Sequence, residues 1–197
     1  MAMKLLYGTG NPAKLEDGRR ELSPLGLEII GLCDLDRLAP DVAEVGKTPI
    51  ENAREKALAY YDAFKMPVFS ADSGLFIDGL PDGLQPGAHI RRPQGRYLDD
   101  AECIEYYASL ARKYGTLTAR YQDAVCLVVD REHVYDFTYV CRPFGITDKI
   151  HPCRRQGYPL DTISVWLDTG EYCIDAPSSE KTGWDEIREF MKKNLWL

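Results

Sequence analysis

The most informative stretch of the chain, residues 44–75, reads EVGKTPIENAREKALAYYDAFKMPVFSADSGL. Within it, Thr48-Pro49-Ile50-Glu51 forms a capping box with proline at the first helical position, which predicts the start of a helix. Apolar residues then recur at three- and four-residue spacing and predict one buried helix face: Ile50, Ala53, Ala57, Tyr60 and Phe64. Pro67 is expected to end this helix, because the residue before a proline is disfavoured in the helical conformation.

A short strand and an acidic loop are predicted after this helix. Val68-Phe69 has the apolar character of a buried strand, and Ser70–Gly74 is expected to follow as a loop at its carboxyl end, where open α/β sheets bind ligands. This order would place Glu44, Lys56 and Asp72 near one edge of the sheet. Two carboxylates and a lysine suit a divalent cation and a phosphate chain. A capped helix followed by an acidic turn is also an ordinary structural element, and the pattern by itself leaves both interpretations open.

The amino-terminal turn is a second candidate for phosphate binding. A strand is predicted at Met3–Tyr7, and a helix is predicted from Pro12 to about Leu22. Between them, Gly8-Thr9-Gly10-Asn11 supplies a tight turn, polar side chains and a helix cap, and Lys14 adds a positive charge. The turn matches neither the GxxxxGK[ST] loop nor GxGxxG. A capped helix start with no ligand is the alternative interpretation.

The remaining pattern predicts a mixed α/β fold. A second strand is predicted at Leu27–Leu32, a further helix after Asp99, and a β-hairpin over 116–142. The βαβαβ order, followed by a helix and a hairpin, predicts a mixed sheet with flanking helices. The stretch Leu80–Arg96 is a long predicted loop, and its arginines either reach an anionic ligand or form a solvated basic surface.

Composition and charge limit the class of protein. The 197 residues suit one domain over 1–197 or two closely packed lobes. A net charge of −7 argues against nucleic-acid partners and anionic membranes. The apolar runs are too short for a transmembrane helix, and the amino terminus lacks a signal-peptide pattern. We therefore expect a cytoplasmic protein whose six scattered cysteines are reduced.

Three separated motifs together point to one family. They read TGNPAKLE at residues 9–16, EVGKTPIENA at residues 44–53 with Lys56-Ala57 beyond it, and ADSGL at residues 71–75. In this order and spacing they resemble the inosine triphosphate pyrophosphatase family, whose substrates are noncanonical purine nucleoside triphosphates. The resemblance covers the first half of the chain closely. It implies an elongated mixed sheet with flanking helices, two lobes around a cleft, and usually a homodimer.

The resemblance also implies a reaction and a site. Water would cleave a nucleoside triphosphate such as ITP, XTP or dITP into the monophosphate and pyrophosphate. The residues that would bind phosphate are Thr9, Asn11, Lys14, Lys56 and Ser73. Glu44 and Asp72 would hold Mg²⁺, and Asp72 would also orient or deprotonate the attacking water.

The chain departs from the family pattern at two places. The family usually has two adjacent acids in the third motif, and here Ala71 replaces the first. The FGYDP-like segment that handles the base has its nearest match at Gln156–Asp161, and the serine-histidine-arginine motif that reads the purine oxygen is missing. Base contacts then fall, by resemblance, to Tyr158, Lys181 and Arg92. These departures predict altered base selectivity.

Two other functions stay open on the sequence. A Maf-like pyrophosphatase acting on another modified nucleotide would keep the chemistry and change the base. A nucleotide-binding module that senses or sequesters its ligand, with weak or no catalysis, is favoured by Ala71. It is disfavoured by the retained charged residues, which are Lys14, Glu44, Lys56 and Asp72. An unrelated structural domain is disfavoured because three ordered motifs rarely arise by chance.

Overall fold

The computed structural model describes residues 2–175 and 183–195. Its helices in this part of the chain are α1 (Pro12–Leu22), α2 (Pro49–Phe64), α3 (Asp100–Tyr114) and α4 (Trp184–Leu195). Its strands there are β1 (Met3–Tyr7), β2 (Leu27–Gly31), β3 (Val68–Ile77), β4 (Leu117–Val128), β5 (Val134–Val140), β6 (Phe144–Ile146) and β7 (Ser164–Val165). Among the described residues, no helix has both the length and the apolar character needed to cross a bilayer.

The strands form one mixed sheet. Their order is β2-β1-β3-β4-β6-β7, and β5 pairs with β4. β1 runs parallel to both of its neighbours, whereas β6 runs antiparallel to β4 and β7. The helices α1 and α2 are the crossover connections that the parallel strands require. The predicted mixed sheet with flanking helices is therefore confirmed.

Two compact units make up the chain. The first holds Met1–Ser73, Asp123–Tyr139 and Gly183–Leu197, and the second holds Gly74–Gln122 and Val140–Thr182. The first unit has two apolar clusters, one around Tyr7 and Phe69 and one around Leu6 and Val68. The second has one cluster, which includes Leu75, Tyr107 and Ile146. The single domain over 1–197 and the cleft between two lobes stay predictions.

Local signals set the limits of α2. The hydroxyl of Thr48 accepts a hydrogen bond from the Glu51 N–H at 3.4 Å, and the Glu51 carboxylate accepts one from the Thr48 N–H at 3.2 Å. This reciprocal capping box confirms the predicted helix start. The helix ends at Phe64, where Lys65 takes a left-handed φ of 53° and donates its N–H to the Tyr61 carbonyl. The end therefore comes before Pro67 and is made by a backbone turn.

The prediction of a loop at Ser70–Gly74 was wrong. Strand β3 runs through these residues without a break, from Val68 to Ile77. It lies between β1, which pairs with Val68 and Phe69, and β4, and sheet pairing overrides the weak strand preference of the small residues. Ser70 is fully buried and donates its hydroxyl to the Gly8 carbonyl at 3.2 Å. Because side chains alternate along a strand, Ser70 and Asp72 share one face of the sheet.

Candidate active site

Three predicted site residues meet on one ammonium group in the first unit. Nζ of Lys56 lies 2.6 Å from Oε1 of Glu44 and 3.4 Å from Oδ1 of Asp72. It also donates to the carbonyl of Ala71 at 3.2 Å. The side chains of Lys56 and Asp72 are 10% and 13% exposed, whereas that of Glu44 is 38% exposed. The structure therefore brings Glu44, Lys56 and Asp72 together, as the sequence predicted.

The charges of this cluster support one another. Burial alone would lower the pKa of Lys56, but the charges of Asp72 and Glu44 and the hydrogen bonds to them outweigh it and raise this pKa above its ordinary value. Lys56 is therefore charged at neutral pH. Two carboxylates against one ammonium leave a net negative charge, which attracts a further cation.

Asn52 completes the cluster, and sequence reasoning missed it. Its amide nitrogen donates to Oδ2 of Asp72 at 3.0 Å, and its amide oxygen accepts from the Gly46 N–H at 2.8 Å. Its side chain is almost fully buried. Asn52 lies four residues before Lys56 on α2, and that spacing places both side chains on one helix face. This spacing was the signal that could have identified it.

The amino-terminal turn is built around Asn11, which caps α1. Its side-chain oxygen accepts hydrogen bonds from the N–H groups of Ala13 and Lys14 at 3.0 and 3.4 Å. The hydroxyl of Thr9 accepts one from the Asn11 N–H at 3.1 Å. The helix-cap interpretation of Asn11 is therefore confirmed, and the phosphate roles of Thr9 and Asn11 stay predictions.

A pocket lies beside this turn. Its volume is about 540 Å³, and its walls are Thr9–Pro12 on one side and residues between Leu32 and Ala39 on the other. The Lys14 ammonium makes no ion pair with any residue in 2–175 or 183–195. An unpaired cation at a helix start is available to an anion.

Two substitutions at this turn should have different effects, one on the stability of the fold and the other on the binding of an anion. Asn11→Ala removes the helix cap and is expected to lower the free energy of unfolding by about 1 kcal/mol. Thermal unfolding would show this as a fall of roughly 2–4 °C in Tm. Lys14→Met should change that free energy by less than about 0.5 kcal/mol and weaken the binding of inorganic pyrophosphate in calorimetry. An unchanged Tm for Asn11→Ala would contradict the cap.

The other predicted residues are spread over the chain. Ser73 follows Asp72 in β3 and is half-buried. Arg92 and Tyr158 belong to the second unit, where the Arg155 guanidinium stacks 4.1 Å from the centre of the Tyr158 ring. Lys181 lies outside the described residues. The roles of these four residues stay predictions.

Two arginines of the long loop in the second unit form ion pairs with α3. Arg91 pairs with Asp100 at 2.6 Å, and Arg96 pairs with Glu102 at 2.9 Å. The Asp100 carboxylate also accepts a hydrogen bond from the Gly157 N–H at 3.0 Å, which holds the loop of Tyr158. The interpretation of these two arginines as part of the protein's own surface is favoured.

The carboxylates on Lys56 fit a hard divalent cation. In the described residues, no group of three or more histidine, cysteine, aspartate or glutamate side chains is placed to hold a metal. Glu44 and Asp72 instead converge as a pair of oxygen donors. Mg²⁺ is typically bound by one or two carboxylates, with water and substrate phosphates completing its shell. The donor set therefore suits a cation that binds together with a phosphate ligand.

Comparisons with known proteins agree with these observations. The model of the Ham1 family matches residues 5–143, which include all three motifs. A dITP/XTP pyrophosphatase of Rhodopseudomonas palustris is 35% identical over 136 residues, which cover 66% of this chain and 63% of that relative. The chain thus spans slightly less than two thirds of that relative. A dITP/XTP pyrophosphatase of Bacillus subtilis is 27% identical over 190 residues, which cover 95% of this chain and 93% of the relative.

Solved structures show the same fold. A HAM1 protein from Coxiella burnetii superposes with a TM-score of 0.77 at 20% identity, covering 97% of this chain and 99% of that one. The Ham1 protein of Staphylococcus aureus gives a TM-score of 0.72 at 21% identity, with 96% and 98% covered. The family match ends at residue 143, before the Gln156–Asp161 segment where the motif pattern is lost. The family predicted from the three motifs is confirmed, and the chain belongs to the Ham1 family.

Proposed function

We propose that this protein is a metal-dependent nucleoside triphosphate pyrophosphatase. It hydrolyses a noncanonical purine nucleoside triphosphate to the monophosphate and pyrophosphate, with altered base selectivity. The observation that carries the proposal is the buried ammonium of Lys56 between Glu44 and Asp72. The substrate class is supported by relatives named dITP/XTP pyrophosphatase.

In this proposal the first unit binds the triphosphate chain. Thr9, Asn11 and Lys14 contribute a hydroxyl, an amide and an ammonium at the start of α1. Ser73 adds a hydroxyl next to Asp72. Lys56 donates to a phosphate oxygen while it stays bonded to Asp72. Positioning and charge stabilisation carry most of the catalysis of phosphoryl transfer, and we extend this to attack at the α-phosphorus.

Asp72 acts on the attacking water. Its carboxylate orients the water and takes the proton that the water loses as its oxygen bonds to the α-phosphorus. The bond from that phosphorus to the bridging oxygen breaks, and pyrophosphate leaves. Glu44 and Asp72 would hold Mg²⁺, which would neutralise charge on the phosphate oxygens. The donor pair and its net negative charge support this assignment.

Base recognition is proposed to fall to residues other than the missing family motif. Tyr158, Arg92 and Lys181 are proposed to contact the base in place of the missing serine-histidine-arginine motif. Tyr158 already carries the Arg155 guanidinium on one face of its ring, so a stacked base would use the other face. A homodimer and a cytoplasmic location stay predictions.

Pyrophosphate release from a panel of nucleotides tests this function. The panel holds ITP, XTP, dITP, GTP, ATP and the pyrimidine triphosphates, each with Mg²⁺ and with a chelator. We expect Mg²⁺-dependent release that favours one purine analogue. Glu44→Gln should raise the Mg²⁺ concentration needed for half-maximal rate, because a ligand charge is lost. If pyrophosphate were released from none of these nucleotides, the proposal would be contradicted.

One observation favours a second candidate, a nucleotide sensor with weak catalysis. Ala71, at the place of the first family acid, packs against the apolar cluster around Tyr7 and Phe69. The position thus serves packing and supplies no carboxylate. Calorimetry on the same panel separates the candidates: tight nucleotide binding without release of pyrophosphate would favour the sensor.

A further inference from the structure

One side chain connects the two carboxylate-bearing segments of the site without carrying a charge. Asn52 lies at the buried end of α2, and its side chain is about 1% exposed. Its amide nitrogen donates to Oδ2 of Asp72 on β3, while its amide oxygen accepts from the backbone of Gly46, two residues after Glu44. A single amide thus joins the loop of Glu44 to the strand of Asp72.

The orientation of this amide follows from its partners. The Gly46 N–H can only donate, so the group that faces it must be the amide oxygen. The NH₂ group then faces Asp72, where the carboxylate accepts. The reverse orientation is excluded, since it would place the NH₂ group against the Gly46 N–H, and both are donors.

Gly46 allows the close approach that this link needs. A Cβ atom at position 46 would lie 2.6 Å from Oδ1 of Asn52 and 2.8 Å from Cβ of Glu51. Both distances are shorter than side chains tolerate, and Cβ of Glu51 belongs to the rigid first turn of α2. Any larger residue would push the Glu44 loop away from the helix.

Lys56 also connects the segments of Glu44 and Asp72, but it does so with a charged group. It contacts the other oxygen of Asp72 and also Glu44, so both Asn52 and Lys56 connect each carboxylate-bearing segment to α2. A divalent cation bound by the same carboxylates would repel the ammonium and weaken its contacts with them. A neutral amide has no such conflict.

We infer that Asn52 is a positioning residue for the proposed reaction, because it holds Glu44 and Asp72 at the spacing that a shared cation requires. This inference rests on the proposed function. The amide of Asn52 is used by Asp72 and Gly46, so it acts on the site through them. Residues that orient metal ligands typically change metal affinity or activity by about 10- to 100-fold when they are lost.

The test uses the full chain and three substitutions. Asn52→Leu removes both bonds at similar volume. Gly46→Ala breaks the bond to the loop by displacing the loop, while the bond of Asn52 to Asp72 remains. Asn194→Leu is the matched control, because Asn194 donates its amide to the Phe190 carbonyl within α4, away from this loop. Mn²⁺ alone, followed by its electron paramagnetic resonance signal, is the probe, since it shares the oxygen-ligand preference of Mg²⁺.

We expect Asn52→Leu to weaken Mn²⁺ binding by about 10- to 100-fold. Its kcat should fall by a similar factor, whereas KM for the best nucleotide should stay within about twofold because the phosphate-binding groups are intact. Gly46→Ala should weaken Mn²⁺ binding less, and the double variant should bind no more weakly than Asn52→Leu, because both changes break one link. Asn194→Leu should match the wild type.

Two results would overturn the inference. One is Mn²⁺ affinity in Asn52→Leu equal to that of Asn194→Leu, and the other is absence of Mn²⁺ binding by the wild type. Hydrogen exchange checks the link itself: amides of the loop at residues 44–48 should exchange faster in Asn52→Leu than in the control. If the wild type releases no pyrophosphate while these Mn²⁺ differences hold, the proposed function fails and the positioning role stands.

Discussion

Asp72→Asn is expected to lower kcat for pyrophosphate release by about 10²- to 10⁴-fold, the range for loss of a general base. The substituted amide has nearly the same size but takes up no proton from water. It also presents an NH₂ group to a site where both carboxylate oxygens accept, one from Lys56 and one from Asn52. At saturating Mg²⁺, KM for the nucleotide should change little, because Asp72 is proposed to act on water and Glu44 keeps its charge as the other proposed ligand of the cation.

A matched aspartate distinguishes chemistry from folding. Asp136 lies in the same unit and accepts a hydrogen bond from Arg54 of α2 at 2.6 Å. Asp136→Asn also removes one negative charge that pairs with a cation of α2, but at a different place. We expect the kcat of this variant to stay close to that of the wild type. Steady-state pyrophosphate release measures both variants. A kcat for Asp72→Asn equal to that of Asp136→Asn would exclude Asp72 as the base.

Lys56→Met should reduce both activity and stability. The substitution leaves Glu44 and Asp72 facing each other without their shared ammonium. Loss of one partner of a buried ion pair costs about 3–5 kcal/mol, and the partial exposure of Glu44 places the expected loss near or below the lower end. At about 3 kcal/mol, Tm would fall by roughly 6–12 °C. The kcat should fall by about 100-fold or more, since a cation on the phosphate chain is lost.

Mg²⁺ should recover part of this stability. A divalent cation that binds the two carboxylates in the folded state raises Tm by mass action, and the variant has no ammonium to compete with it. Thermal unfolding of Lys56→Met with and without Mg²⁺ measures this. Lys192→Met is the control, because Lys192 forms an exposed pair with Glu189 on α4. If the Tm of Lys56→Met equalled that of this control and did not change with Mg²⁺, the cluster would have no role in binding a cation.

Local patterns predicted much of the fold. The capping box at Thr48–Glu51 begins α2 where expected, and the turn after β1 begins α1 with Asn11 as its cap. These features depend on hydrogen bonds between residues three or fewer positions apart, so the residue types in the sequence are enough to predict them. The convergence of Glu44, Lys56 and Asp72 was also predicted, because a helix followed by a parallel strand brings their positions to one edge.

Other features were beyond local reasoning. Ser70–Gly74 has the composition of a loop, but pairing within the sheet makes it part of a ten-residue strand. Asn52 belongs to the second motif, but the sequence assigned it no role. Its partner Asp72 lies 20 residues away, and the burial of the Asn52 side chain depends on the packing of α2. Neither sheet pairing nor burial can be seen in a window of neighbouring residues.

By itself, the sequence determined where the first two helices begin, the three ordered motifs and therefore the family. Capping residues, apolar periodicity and motif spacing are properties of short segments, so they can be identified without knowing how the rest of the chain packs. The tertiary structure alone decided that Lys56 is buried between two carboxylates and that one neutral amide ties their segments together. These contacts join residues far apart in the chain, and only the packing of α2 against the sheet creates them.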